Sequence, residues 1–121
     1  MSKPSIVAAI LLLGSVPPAL AQSACMTPIP PAQVDGGTAT YDQARAAVQD
    51  AKNFIAQSDL YQECVGKEID DATAKAKADG KKPDADFMAK EAALVNDNQK
   101  MKVKVGTEAN EVFPAYHKAH P

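Results

Sequence analysis

Tryptophan is absent from these 121 residues, and Phe, Trp and Tyr together make up 5% of them. So few large rings cannot fill a thick globular core, and they offer no run of stacking platforms for nucleic-acid bases. A basic excess is also missing: 13 Lys and Arg face 15 Asp and Glu, for a formal charge of −2. That balance argues against nucleic acid and anionic membrane surfaces as partners. The longest apolar run, Ile6 to Leu13, is eight residues, against the roughly 20 that span a bilayer. There are two cysteines and no Cys-x-x-Cys pair, which removes the usual thiol–disulfide catalyst. No catalytic or cofactor-binding motif is present, so the expectation is a protein without enzymatic activity and without a cofactor.

The N-terminus carries the clearest signal. Lys3 precedes the apolar run, Gly14-Ser15-Val16-Pro17-Pro18 breaks it, and Ala19-Leu20-Ala21 supplies small residues at −3 and −1. This is the layout of a secretory signal peptide over residues 1–21, cleaved after Ala21. The expected location is periplasmic or secreted, with no stable membrane insertion after cleavage. A lipoprotein anchored at Cys25 is the alternative, although Gln22-Ser23-Ala24-Cys25 lacks the leucine of a lipoprotein signal. Removing residues 1–21 takes away Lys3 and no acid, so the charge goes from −2 to −3.

Residues 22–39 read as an extended arm. Thr27-Pro28-Ile29-Pro30-Pro31 favours polyproline II, and Asp35-Gly36-Gly37 favours a turn. Thr40 and Gln43 then form a capping box that opens a helix over about 40–79. Apolar residues spaced three and four apart run from Tyr41 to Ala76, weakened in the middle by Ser58 and Gln62. Phe54, Leu60, Tyr61 and Cys64 broaden the apolar face there, which points to a second packing partner, the arm. Gly66 marks a candidate bend.

Gly80 to Pro83 breaks the pattern, and Asp84 can cap a second helix over about 84–113, before Pro114. Its seam is Phe87, Leu94, Asn98, Met101, Val105 and Val112. Lys100 to Val105 alternates like a strand, but no partner strand exists, so helix is retained. The hairpin occupies residues 40–116, with 117–121 as a frayed tail. The short loop makes the helices antiparallel. Pairing symmetrically about it sets Ile69 near Leu94, Val65 near Asn98 and Ala51 near Val112. The expected fold is therefore all-α: two long antiparallel helices, coiled-coil-like, with a Pro-rich N-terminal arm folded back along the first.

That arrangement allows a Cys25–Cys64 disulfide. From Thr40 to Cys64 the helix rises about 36 Å, and the arm reaches about 46 Å as polyproline II. A disulfide-linked dimer and a lipidated Cys25 are the competing fates.

His117 and His120, three apart, are weak metal-ligand candidates against the simpler reading of exposed tail histidines. Asp70, Asp71, Glu63 and Glu68 read as a solvated face, with Lys67 and Lys75 four residues from Glu63 and Asp71. Asn98 on the seam would fix register, and Asn96 and Asn110 could bond the arm's carbonyls. Phe54, Leu60 and Tyr61 are the candidate interaction surface.

Cys25 with Pro28, Pro30 and Pro31, Asp35-Gly36, Thr38-Ala39-Thr40, Tyr61-Gln62 and Cys64 resemble a group of small uncharacterised exported proteins of proteobacteria. The resemblance covers residues 25–64 and, more loosely, the second helix with Asn96 and Asn110. It implies a helical hairpin with an N-terminal arm and brings no activity with it. The function expected is structural or protein-interacting, in the cell envelope, with an unknown protein partner or through self-association. A small-ligand or metal carrier and a periplasmic chaperone-like protein are the alternatives, though the Leu-Thr-x-x-Gln repeat of known helical chaperones is absent.

Overall fold

The computed structural model describes residues 23–121. Residues 1–22, with the expected leader and its cleavage point, lie outside them. Helix α1 spans Tyr41–Ala78 and α2 spans Ala85–Ala119. Among the described residues there is no strand, and the 100–105 stretch is helical. The stop and start signals act as expected. The Gln43 N–H donates to Thr40 Oγ1 at 3.2 Å, and the Thr40 N–H donates to Gln43 Oε1 at 2.9 Å, closing the capping box. At the other end of α1, Gly80 takes φ 65°. Lys81 N–H donates to the Ala76 carbonyl and Gly80 N–H to that of Lys77, the paired bonds of a Schellman stop. Asp84 caps α2 through Phe87 N–H at 2.7 Å. Helix α1 runs without a break through Gly66.

The two helices pack as an antiparallel hairpin whose buried positions recur every seven residues. They are Ala44, Ala51, Ser58 and Val65 on α1, and Glu91, Asn98, Val105 and Val112 on α2. Phe54 and Tyr61 add a second buried row. Seven-residue recurrence keeps one stripe of each helix against its partner.

Two features depart from the sequence expectation. The register is displaced from loop-symmetric pairing by about one to two turns. Ala51 shares a cluster with Val105 instead of Val112, and Val112 packs with Ala44. Asn98 meets Ser58 and Gln62 instead of Val65: its Nδ2 donates to Ser58 Oγ at 3.2 Å, and Gln62 Nε2 donates to its Oδ1 at 2.9 Å. A buried amide needs polar partners, and the polar middle of α1 supplies them while Val65 goes to an apolar cluster with Leu94 and Val95 alongside. Helix α2 also continues past Pro114 to Ala119, so residues 117–119 are helical and not frayed. The last turns are held by rings: Tyr41 lies 5.7 Å from Phe113 and 5.8 Å from Tyr116, centroid to centroid. Such contacts compensate for the bond that proline removes.

The arm forms a third layer. Cys25 joins Tyr61 and Val65 in one core cluster, while Ala39 joins Ala44 and Val112 in another, with Val34 packed against it. Between them, Pro31 to Val34 close a narrow gap over Ala47, Ala51, Val105 and Ala109. The abundance of alanine in the seam thus has a steric purpose: small side chains let the arm come down close to both helices. The arm then turns on Asp35, whose carbonyl accepts from Thr38 and Ala39 N–H and whose Oδ1 accepts from Gly37 N–H at 2.9 Å.

Candidate interaction surface and acid pair

Cys25 and Cys64 are disulfide-bonded, with Cα atoms 5.9 Å apart. The bond fixes the start of the arm against α1, and the Pro-rich stretch that follows runs over that helix without regular secondary structure. Pro28 and Pro30 contribute no N–H. Met26 and Ile29 project outward, 91% and 86% exposed, beside Leu60 of α1 at 66%. These three, with Pro28, Gln57, Cys64 and the largely buried Tyr61, line an open groove of about 500 Å³. Beyond Leu60 the surface becomes polar at Glu63, Lys67 and Asp70, and Lys67 is paired with Asp71 at 2.9 Å.

The interaction surface expected at Phe54, Leu60 and Tyr61 needs correction. Phe54 and Tyr61 are buried, the first with Ala51 and Val105 and the second with Cys25 and Val65. Leu60 faces solvent, and Tyr61 reaches the groove only as part of its lining. The broadened apolar face of α1 is therefore mostly core for the arm, and the exposed apolar surface lies on the arm's outer side. Sequence spacing alone does not separate a face that the arm covers from one it leaves open.

Below the disulfide lies a pair of carboxyl groups. Glu68 of α1 accepts from Ser23 Oγ at 2.9 Å through one oxygen and from Ala24 N–H at 2.8 Å through the other. Against it sits Glu91 of α2, 0% exposed, and neither of its oxygens has a hydrogen-bond partner among the described residues. Burial, then the neighbouring Glu68 carboxyl, push the Glu91 carboxyl above the usual carboxylate range, while Lys90 pulls it down. As two carboxylates the groups have no donor between them. A proton on Glu91 turns the contact into a hydrogen bond to Glu68. Glu91 was invisible in the sequence, because a glutamate on a charged helix reads as surface; its place on the seven-residue stripe with Asn98 and Val105 was the available signal.

The tail histidines join the aromatic end of the hairpin. His117 stacks on Phe113 at 6.0 Å, and His120 on Tyr116 at 4.4 Å, with Nδ1 2.9 Å from the Tyr116 carbonyl. Each ring thus has its own aromatic neighbour, and no group of three or more His, Cys, Asp or Glu suited to a metal ion occurs among the described residues. Asn96 and Asn110 are exposed and make no bond to the arm among the described residues. Lys102 pairs with Asp59 across the helices, and Lys100 and Lys104 pair with Asp97 and Glu108, so the lysine run is spread over a wet face. No helix of the described residues is long and apolar enough to cross a membrane. No protein-family profile, no curated protein and no solved structure matches the chain.

Proposed function

We propose that this chain is exported, is cleaved after Ala21, and serves without catalysis as a disulfide-stapled scaffold that contacts another protein of the cell envelope. The observation that carries the reading is the exposed trio Met26, Ile29 and Leu60, held in one place by the Cys25–Cys64 bond. Exposed apolar clusters on a small soluble domain mark interaction sites. A disulfide also fits an oxidising compartment, and it engages the Cys25 sulfur that a lipid anchor would need. The seven-residue recurrence is that of a short coiled coil, a suitable rigid support.

Three side chains are few beside the roughly 20–30 residues per side of a standard interface. That favours a transient contact over a permanent dimer. The rim residues Glu63 and Asp70 favour a partner that brings Lys or Arg around an apolar centre.

A photo-crosslinking residue at position 60, in the exported protein, tests the reading. The expected result is a discrete adduct with a second envelope protein, lost on Ile29→Asp. Because Ile29 is exposed, that substitution should change stability by no more than about 0.5 kcal/mol. A self-adduct would point to association between copies. A monodisperse monomer giving no adduct at position 60 would remove the proposal.

A further inference from the structure

We infer that Glu91 operates a proton-dependent latch on the start of the arm: protonated, it holds Glu68 against Ser23 and Ala24, and ionised, it drives Glu68 away and frees them. The geometry follows from the helix register. Ser58 meets Asn98, so one seven-residue step along each helix sets Val65 level with Glu91, and Glu68 stands one turn beyond Val65 on the same face. At Asn98 the polar middle of α1 supplies Ser58 and Gln62 as partners. One step on, the corresponding residues are Val65 and Ile69, which cannot bond, and the polar neighbour is Glu68. Glu91 is 0% exposed, and neither of its oxygens has a hydrogen-bond partner among the described residues. A buried carboxyl group ordinarily finds a donor or a countercharge. Here the donor it can gain is its own proton.

Glu68 is also the anchor of the arm's start. One of its oxygens accepts from Ser23 Oγ at 2.9 Å and the other from the Ala24 N–H at 2.8 Å, and a carboxylate has lone pairs left for a third donor. A Glu91 O–H fills that role. When that O–H bond breaks, the proton passes to water and the electron pair stays on Glu91, leaving two negative charges in contact. Glu91 is fixed on the buried stripe, whereas Glu68 is half-buried, so Glu68 is the one that swings toward water. Ser23 and Ala24 lose their acceptor with it. The groups facing Glu91 are Glu68 on α1, the Ser23–Ala24 end of the arm and, on its own helix, Lys90. Lys90 is exposed and makes no hydrogen bond to it, and Lys67 is held by Asp71. Release ends at the Cys25–Cys64 bond, which keeps the rest of the arm docked.

NMR of the disulfide-bonded protein between about pH 4 and pH 9 gives the test, following the Glu91 carboxyl carbon and the Ala24 amide. The expected result is a carboxyl that titrates above the ordinary 4.5, with the Ala24 amide signal moving at the same pH. Across that step the protection of the Ala24 N–H against hydrogen exchange, corrected for the intrinsic rate, should fall about tenfold. The Val65 amide, inside α1, should keep its protection, which separates a local release from unfolding. Glu91→Gln carries a permanent N–H donor of the same shape, so its Ala24 should stay protected through the pH of the wild-type step. A Glu91 carboxyl that titrates at its ordinary value, or not at all in this range, overturns the inference. So does an Ala24 amide indifferent to the Glu91 step, a step that survives Glu91→Gln, or a loss of protection shared by Val65.

Discussion

Replacing Gly36 by alanine would drive a methyl group into the carbonyl oxygen of Val112 and to within 3.1 Å of the Ala115 side chain. The obstacle is helix backbone, which cannot rotate aside, so the arm would have to lift. Gly36→Ala should cost about 1–3 kcal/mol, the range for overpacking, read as a lower urea midpoint. Gly37, where a methyl would meet nothing closer than 3.2 Å, provides the control and should be tolerated better. Glu91 sets a pH dependence whose direction follows from its raised pKa. The native state keeps a proton on Glu91 that the unfolded chain releases near 4.5. Stability from this group is therefore intact below that value and falls as pH rises toward the folded-state pKa. The facing groups are Glu68 on α1, Lys90 on α2 and the Ser23–Ala24 end of the arm. Glu91→Gln should flatten the slope and raise the urea midpoint at about pH 8, with little effect at about pH 4.

Between the helices, the Ser58–Asn98–Gln62 layer decides alignment. Asn98→Ala removes an acceptor for Gln62 and a donor for Ser58 in a buried layer, and should lower stability by about 1–3 kcal/mol, measured by thermal unfolding. Both helices, their caps and the Gly80 stop were legible in the sequence, because capping boxes, Schellman stops and three-four spacing are local signals. Asn98 on the seam was legible too. Its partners were not: counting symmetrically outward from the loop ignores the demand of a buried amide for Ser58 and Gln62. The length of α2 was misjudged for a similar reason. Pro114 is a local stop signal, whereas the contacts of Phe113 and Tyr116 with Tyr41 are made across the hairpin. Nor could spacing distinguish Tyr61, covered by the arm, from Leu60, left in water.

For the molecule as a whole, the disulfide is the largest single constraint. It closes a separation of 39 residues, and chain-entropy reasoning gives about 4 kcal/mol for a loop of that size. Reduction, or paired Cys25→Ser and Cys64→Ser, should lower the melting temperature and speed amide exchange at Tyr61 and Val65, while a core of Ala51, Phe54 and Val105 keeps the central hairpin together longer. Reach arithmetic anticipated the pairing because two cysteines in one chain leave a single intramolecular choice. The arm's position over the alanine seam has a consequence for the order of assembly. The arm, made before either helix, must dock against Val105, Ala109 and Val112, which are made late in the chain. A nascent chain halted before residue 105 would hold a finished α1 and an arm with only one wall to lie against. The two ends of the message thus have to be present together before the molecule can close.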